Sequence, residues 1–334
     1  MIYNRQMKEK VDPIIKKMLA QGVSRQTREL LFYQINTGGK RLRPALAIVS
    51  CLACGGKLKD ALYPAAALEI LHTYTLIIDD IIDNSPKRRG KPTTWKKFGR
   101  SFAECAGLDY GATILQTVLE TKQPNEIGMI LANAWKEIID GEILDILYEQ
   151  SRKYQEPFAR LNRKTAISLH EYQVMIGHKT ASLFRASCEI GALAAQASQK
   201  EIEALKTYGW NFGLAFQISD DILDIYGTNT GKPRGQDIRE HKLGNIVVLL
   251  ALRDLPHKQQ NRLRNILKKG APQTKDLKEA IALIQNSNAK QKALQLLSLN
   301  AKKARQALRQ LPASPHRAAL EAILQKSVAI HLPS

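Results

Sequence analysis

The chain has 334 residues, 44% of them hydrophobic and 24% charged, which excludes disordered and fibrous classes and predicts a folded protein of one or two domains. Fifty Lys and Arg against 31 Asp and Glu leave a formal net charge of +19. This excess indicates anionic partners: nucleic acid, anionic lipid or phosphorylated small molecules. Residues 253–326 alone hold 16 basic and 4 acidic side chains, most simply explained as solvated helix faces.

Nothing in the sequence points to a membrane span or to a cysteine site. The longest apolar runs, 45–54 and 246–252, fall short of the roughly 18 residues that span a bilayer. The polar N-terminus has no signal-peptide core, so we expect a cytoplasmic protein. Cys51 and Cys54 form a CxxC pair in an apolar stretch with no His at zinc-finger spacing. They are therefore predicted to be small buried hydrophobes.

Apolar residues recur at helical spacing along the chain and almost never alternate with period two, which predicts an all-α protein. In chain order the predicted helices cover 6–21, 24–35, 43–53, 61–83, 102–120, 125–147, 168–195, 200–226 and 246–252, followed by several in the basic segment from about 253. Loops containing Gly or Pro are predicted at 37–44, 84–92, 155–162 and 227–235.

Two predicted helices carry a DDxxD cluster among large apolar side chains. The six carboxylates are Asp79, Asp80, Asp83, Asp220, Asp221 and Asp224. Unpaired carboxylates in such a setting are costly or become neutral, so the clusters predict a bound cation. Mg²⁺ fits because it takes one or two carboxylates and completes its shell with water and phosphate oxygens. We expect the two helices to face each other and grip a diphosphate, since a solvated acidic face would not be flanked by Ile and Leu.

Two loops are dense in cations, 38–44 (GGKRLRP) and 86–92 (PKRRGKP), and the second directly follows the first aspartate cluster. Arg suits bidentate contact with phosphate oxygens, and Lys acts as a point charge. Either loop alone could be an ordinary solvated turn. The position of the second loop after an aspartate cluster favours phosphate binding.

These motifs resemble those of the trans-isoprenyl diphosphate synthase (polyprenyl synthetase) family, in its short-chain type. The similarity spans about residues 38–252 and rests on both aspartate clusters with their flanks, on Arg88-Arg89-Gly90 and on Lys179-Thr180-Ala181. It implies one polyprenyl synthetase domain over 1–334, a single large helical bundle around a central apolar cavity. It also implies a homodimer that condenses isopentenyl diphosphate with an allylic diphosphate, using three Mg²⁺ ions per active site.

The resemblance assigns roles residue by residue. Isopentenyl diphosphate would be held by Lys40, Arg43, His72 and Arg89. The allylic diphosphate would be held by Arg88, Lys179, Thr180, Gln217, Lys232 and Lys242. The metal ligands would be Asp79, Asp83 and Asp220, with Asp80, Asp221 and Asp224 as ligands or as supports of the ligands. His72 taken alone would more often be a core histidine.

By the same resemblance, Tyr74 would form the floor that limits product length, five residues before Asp79. This favours geranylgeranyl diphosphate as product, with farnesyl diphosphate or a longer chain as alternatives. The other interpretation of Tyr74 is simple packing against a neighbouring helix. Loss of diphosphate would leave an allylic carbocation that the double bond of isopentenyl diphosphate attacks, with no protein nucleophile.

Several positions depart from the family pattern: Trp95 for a His, Leu108 inside a Gly-Asp pair, Glu142 for a Gln, His241 and Gly244-Asn245 in a Glu-Gly-Lys-x-Thr stretch, and the C-terminal 331–334.

Three other functions stay open. A terpene cyclase or head-to-head synthase of the same fold would need no isopentenyl site, and a non-catalytic partner subunit would need no intact aspartate clusters. Nucleic-acid binding is suggested by charge alone, without aromatic and basic interleaving, so we expect none.

Overall fold

The computed structural model describes residues 2–150, 156–227, 234–240, 242–269 and 272–329, with side chains from residue 7 onward. Across these ranges the helices are joined by turns and loops, with one short hairpin and one isolated β-bridge, which confirms the all-α prediction. The elements are α1 (Ile2–Leu19), α2 (Arg25–Asn36), α3 (Leu42–Ala53), α4 (Leu58–Ile82), β1 (Lys87–Arg88), β2 (Lys91–Pro92), α5 (Thr94–Phe98), α6 (Arg100–Leu119), α7 (Pro124–Leu147), α8 (Pro157–Asn162), α9 (Leu169–Ile176), a π-helical turn (Gly177–Ala181), α10 (Ser182–Ala194), α11 (Gln199–Tyr226), α12 (Gln236–Arg239), α13 (Ile246–Asp254), α14 (His257–Leu267), α15 (Thr274–Gln285), α16 (Ala289–Leu308) and α17 (Pro315–Val328).

The long helices predicted from periodicity are present, with ends within a few residues of the predicted ones. Two local predictions are wrong. The loop predicted at 155–162 contains α8, and the helix predicted over 168–195 is interrupted by the π-helical turn. The hairpin was not predicted; it forms because Arg89 and Gly90 both adopt positive φ, 54° and 77°, as a two-residue turn between antiparallel strands requires.

The chain divides into two compact units. Unit 1 contains the residues up to Trp135 together with Leu183–Gly209 and Ala307–Leu320. Unit 2 contains Lys136–Ser182, Trp210–Gln306 and the residues from Glu321 onward. The single polyprenyl synthetase domain over 1–334 stays a prediction.

The centre of unit 1 is α4, which packs against α1, α3 and α6. Its middle is rich in small and branched apolar side chains, among them Ala65, Ala66 and Leu68, which are fully buried. By length and composition the 25-residue helix could cross a membrane, but 61% of its apolar window is buried inside the protein. It is therefore a core helix that delivers the first aspartate cluster in its last turn.

In unit 2 the basic segment folds into amphipathic helices. Along α16 the side chains of Ala293, Leu297 and Ala301 are fully buried, whereas Lys292 and Lys302 are exposed. Helix α13 is buried over residues 246–252 and packs against α14 and α15. The cations of these helices therefore lie on polar faces opposite an apolar face.

Candidate active site

The first aspartate cluster lies at the C-terminal end of α4, where the helix dipole already disfavours anions. Asp80 is buried, and both of its carboxylate oxygens accept from Arg88 Nε, at 2.9 and 3.0 Å. Burial raises the pKa of Asp80, and the Arg88 guanidinium opposes that rise. Asp79 and Asp83 are only half-buried. Asp80 thus positions Arg88, while its two neighbours in the cluster reach solvent.

Arg41 anchors the loop 38–44 to the protein interior. This role was not predicted from the sequence. Arg41 sits in the left-handed region, with φ of 50°, and its side chain is buried. Its guanidinium donates to both oxygens of Asp12, at 2.7 and 3.0 Å, and to Glu69 Oε1 at 3.0 Å. It also donates to the carbonyl of Ile35 at 3.1 Å. The loop that carries the predicted isopentenyl site therefore has a fixed base.

All four residues predicted to hold isopentenyl diphosphate belong to this loop or lie against it. Arg43 Nη1 lies 3.2 Å from His72 Nε2, and its guanidinium lies 4.8 Å from the ring centre of Phe184. Burial and the charge of Arg43 lower the pKa of His72 well below its ordinary value, so a neutral imidazole accepts from the guanidinium. Arg89 donates to a backbone carbonyl of the loop, and the fourth residue, Lys40, is exposed on it.

Trp95, one of the departures from the family pattern, supports the turn after the first cluster. Its indole N–H donates to the carbonyl of Ser85 at 2.9 Å, and the Thr93 hydroxyl donates to the same carbonyl at 2.8 Å. The Thr94 hydroxyl contacts Gln34 Oε1 at 3.1 Å. Trp95 therefore anchors the start of the hairpin that carries Arg88 and Arg89.

The second aspartate cluster lies near the C-terminal end of α11, in unit 2. Asp221 is buried and accepts from the Tyr172 hydroxyl at 2.8 Å, from the Ile246 amide at 2.8 Å and from Gln217 Nε2 at 2.9 Å. Burial still raises the pKa of Asp221 well above its ordinary value. Asp220 is exposed. Asp221 is consequently a support for the helix end, and Asp220 is the carboxylate that points outward.

Asp224 joins α11 to α12 by accepting from the amides of Gln236 and Asp237, at 2.8 and 3.1 Å. Burial and the nearby Asp237 raise the pKa of Asp224 to about 7. Asn245, another departure from the family pattern, donates to Asp237 Oδ2 at 2.7 Å and caps α13. Lys232, His241 and residues 331–334 lie outside the described residues.

A small cavity of about 90 Å³ in unit 2 is lined by several residues predicted to hold the allylic diphosphate, among them Lys179, Thr180, Gln217 and Lys242. The Thr180 hydroxyl donates to Gln217 Oε1 at 2.9 Å. Because Gln217 in turn donates to Asp221, a hydrogen-bonded chain links the cavity to the second aspartate cluster. The structure thus brings four of the six predicted allylic-site residues to one place.

The two lysines of this cavity are ion-paired. Lys179 Nζ lies 2.5 Å from Glu142 and 2.7 Å from Asp145, and Lys242 Nζ lies 3.2 Å from Asp145 and 3.1 Å from Glu240. Burial would raise the pKa of Asp145, but the two ammonium groups outweigh it and hold that pKa well below its usual range. From the sequence Glu142 was noted only as a departure from the family pattern, and Asp145 was not singled out. Their GExxD spacing was the available signal.

The π-helical turn sets the position of Lys179 and Thr180. It lies against Gly141 of α7, where a Cβ atom would stand 2.3 Å from the Lys179 amide nitrogen and 2.7 Å from its Cα. Only glycine permits this approach, because real Cβ contacts are never so short. Turns of this kind are frequent at functional sites. The turn therefore brings the backbone of the Lys-Thr motif directly onto α7.

Tyr74 packs edge-on against Trp135, with ring centres 5.0 Å apart and planes at 71°. Beneath the two rings lie glycines of α6. A Cβ on Gly107 would stand 3.6 Å from the Tyr74 ring, and one on Gly111 would stand 3.2 Å from the Trp135 ring. Burial raises the pKa of the Tyr74 phenol. The ring contact matches the packing interpretation, and the role of Tyr74 as a product floor stays a prediction.

With this geometry in place, comparison with known proteins identifies the family. Polyprenyl synthetase is the family that matches, over residues 24–284 of the chain. The chain belongs to the polyprenyl synthetase family. This polyprenyl synthetase is 35% identical over 294 residues to a short chain isoprenyl diphosphate synthase from Methanocaldococcus jannaschii, covering 86% of this chain and 84% of the relative.

Two solved structures resemble this polyprenyl synthetase over nearly its full length. Geranylgeranyl pyrophosphate synthetase from Pyrococcus horikoshii matches with a TM-score of 0.87 and 30% identity over 98% of both chains. A polyprenyl synthase from Caulobacter crescentus, complexed with calcium and isoprenyl diphosphate, matches with a TM-score of 0.86 and 31% identity over 98% of this chain and 96% of that one. The predicted family and the all-α fold are both confirmed.

The donor set of this polyprenyl synthetase fits Mg²⁺. Among the described residues, no three His, Cys, Asp or Glu side chains form a ready-made metal cage. Mg²⁺ does not require one, because it uses one or two carboxylates and takes its other ligands from water and phosphate. In unit 1 Asp79 and Asp83 are half-buried at the end of α4, where the helix dipole favours a cation, and in unit 2 Asp220 is exposed on α11.

Proposed function

We propose that this chain is a Mg²⁺-dependent prenyltransferase that condenses isopentenyl diphosphate with an allylic diphosphate to give a short-chain all-trans prenyl diphosphate. The arrangement of the two aspartate clusters carries the proposal. In each cluster one buried carboxylate, Asp80 or Asp221, is held by protein donors. The outward carboxylates Asp79, Asp83 and Asp220 are placed to meet metal ions and phosphate.

The residues of the two sites divide the work of binding. Lys40, Arg43 and Arg89 supply positive charge to isopentenyl diphosphate, and neutral His72 orients the Arg43 guanidinium. Lys179 and Lys242 supply charge to the allylic diphosphate, and the Thr180 hydroxyl donates to it once it leaves Gln217. Preorganised donors of this kind stabilise the charge that develops on a departing diphosphate, without reorganisation during the reaction.

The reaction then needs no protein nucleophile. The allylic C–O bond breaks, and the diphosphate departs with the electron pair. The double bond of isopentenyl diphosphate attacks the resulting cation, and a proton leaves the new cation for the released diphosphate. Bound Mg²⁺, for which we propose three ions per active site, would neutralise the growing charge of the diphosphate.

For product length we propose geranylgeranyl diphosphate, with Tyr74 as the floor. At about 1.5 Å per residue, Tyr74 lies roughly 7.5 Å back along α4 from Asp79, so it is the first large ring that a growing chain would meet on this helix. Tyr74→Ala is expected to lengthen the products with little loss of the first condensation, as measured by chromatography of radiolabelled products. Tyr74→Phe keeps the ring and is expected to leave the distribution unchanged. Equal distributions in all three proteins would place the floor elsewhere.

We also propose a homodimer that uses the exposed apolar face of α6. Leu108, Leu115 and Leu119 follow one another at intervals of seven and four residues on one face and are 75%, 64% and 73% exposed. Large exposed apolar patches mark interaction sites. Sedimentation velocity is expected to show a dimer for the wild type and a monomer for Leu115→Glu. A monomeric wild type would contradict this proposal.

For its location we propose the cytoplasm, with the basic helices of residues 253–326 in peripheral contact with anionic lipid, where a prenyl product partitions. Such a contact weakens with salt and grows with the content of acidic lipid, because it is electrostatic. Co-sedimentation with liposomes of rising phosphatidylserine content, at low and high salt, measures it. Binding that ignores both variables would show that the charge only keeps these helix faces solvated.

The prenyl transfer itself is tested by incubating the purified chain with labelled isopentenyl diphosphate, Mg²⁺ and each allylic primer in turn. Dimethylallyl, geranyl and farnesyl diphosphate are all expected to give geranylgeranyl diphosphate. A cyclic hydrocarbon or a head-to-head product would support the sister enzymes of the same fold. Incorporation absent with every primer would contradict the proposed function.

A further inference from the structure

Two carboxylates of α7 hold the ammonium group of Lys179. Glu142 Oε2 lies 2.5 Å from Lys179 Nζ, and Asp145 Oδ2 lies 2.7 Å from it. Glu142 and Asp145 are three residues apart, so they share one face of the helix. The close approach of the π-helical turn to Gly141 brings Lys179 onto that face.

The charges around this group do not balance. Asp145 also pairs with Lys242 at 3.2 Å, and Lys242 pairs with Glu240 at 3.1 Å. Among the described residues, these pairs join two lysines to three carboxylates. Their side chains are largely withdrawn from water, with Glu142 only 12% and Asp145 only 8% exposed. Water therefore screens these charges weakly.

This surplus of negative charge bears directly on a diphosphate. Two carboxylates already neutralise the charge of Lys179. An anion that approaches this lysine must therefore displace one of them or share the ammonium group with them. Asp145 serves both lysines, so it keeps the network together. In the pairs described above, Glu142 places a second negative charge beside Lys179 and does not pair with Lys242. It is also one of the positions at which the sequence departs from the family pattern.

We propose that Glu142 is a positioning residue that sets how tightly the allylic diphosphate is held, because its carboxylate competes with the diphosphate for Lys179. The inference rests on the proposed function, since it takes Lys179 as a diphosphate ligand. The product carries the same diphosphate group as the allylic substrate. Glu142 therefore weakens retention of the product as well as binding of the primer.

The test compares Glu142→Gln, which keeps shape and removes charge, with Glu142→Asp, which keeps charge. Calorimetric titration with inorganic diphosphate in the presence of Mg²⁺ is expected to show about tenfold tighter binding for Glu142→Gln. The KM for the allylic diphosphate should fall by a similar factor, whereas the KM for isopentenyl diphosphate and kcat should not rise. Glu142→Asp should stay close to the wild type.

Glu279→Gln is the matched control. Glu279 pairs with Arg262 at the same 2.5 Å, so its substitution removes the same charge from a more exposed ion pair that does not line the cavity. It is expected to leave diphosphate binding unchanged. Unchanged or weaker binding in Glu142→Gln would overturn the inference, as would an equal gain in the control. A wild type that binds diphosphate but transfers no prenyl group would overturn the proposed function instead.

Discussion

Replacing Arg41 by Met is expected to destabilise the protein by about 4 kcal/mol at neutral pH, because breaking a buried ion pair typically costs about 3–5 kcal/mol. The substitution leaves two carboxylates without their main partner. Glu69 is 4% and Asp12 is 15% exposed, so Glu69 bears most of the penalty and Asp12 is partly relieved by water. The carbonyls of Ile35 and Gly38 also lose a donor, at about 1 kcal/mol for each net hydrogen bond.

The same reasoning gives a pH dependence. Burial raises the pKa of Glu69, and Arg41 opposes that rise in the wild type. Without Arg41 the folded-state pKa climbs further above the unfolded value of about 4.3. A carboxyl whose folded pKa is raised stabilises the fold at low pH and loses that contribution as pH rises through the folded value. The deficit of Arg41→Met should therefore grow between acid and neutral pH.

Urea unfolding followed by circular dichroism at several pH values measures the deficit. The matched variant is Arg41→Met combined with Glu69→Gln, which replaces the orphaned buried charge with a neutral amide. It should recover part of the lost stability at neutral pH and show a flatter pH profile than Arg41→Met. A deficit below about 1 kcal/mol, or one without pH dependence, would refute the claim that Arg41 is held by buried carboxylates.

Three further predictions concern the site itself. Asp79→Ala and Asp220→Ala should each lower kcat by several orders of magnitude with an unchanged helical spectrum, and turnover that survives EDTA would contradict a role for metal. Gly141→Ala places a Cβ within 2.3 Å of the π-helical backbone, so thermal denaturation should show a loss of about 1–3 kcal/mol in the free energy of unfolding. Gly128→Ala on the same helix meets only ordinary contacts at 3.5 Å and should increase that free energy by up to about 1 kcal/mol. Lys179 and Lys242 hold the pKa of Asp145 below its value in the unfolded chain. The contribution of Asp145 to the free energy of unfolding should therefore be constant above about pH 5 and fall in more acidic solution. An equal loss of stability with acid in the wild type and in Asp145→Asn would disprove this.

The features that could be predicted well from the sequence are those that depend on residues close together in the chain. Apolar periodicity placed α4 and α11, and the two aspartate clusters stand at their ends. The Arg88-Arg89-Gly90 run could be identified as a phosphate loop, but its hairpin depends on two successive residues with positive φ. Only the second of those, a glycine, announces that conformation in the sequence.

What the sequence did not reveal depends on contacts between distant residues. Arg41 looked like one of three loop cations, yet its partners Asp12 and Glu69 stand 29 and 28 residues away, and nothing local marks them. The π-helical turn is a single wide turn inside a long apolar pattern. The helical periodicity of the apolar residues therefore does not reveal it. Glu142 was visible as a departure, but its pairing with Lys179 follows from that turn.

The discontinuous make-up of unit 1 has a consequence for synthesis of the protein. Its last segment, Ala307–Leu320, includes the carbonyl of Leu320 that accepts from the buried Tyr208 hydroxyl at 2.7 Å. Ribosomes add roughly 5–20 residues per second, so helices complete by Trp135 wait on the order of ten to forty seconds for that segment. During this interval α4 can already pack against α1, α3 and α6, but unit 1 lacks its later segments. A nascent chain stalled before Ala307 should therefore bind chaperones longer than the complete chain does, because unit 1 is unfinished.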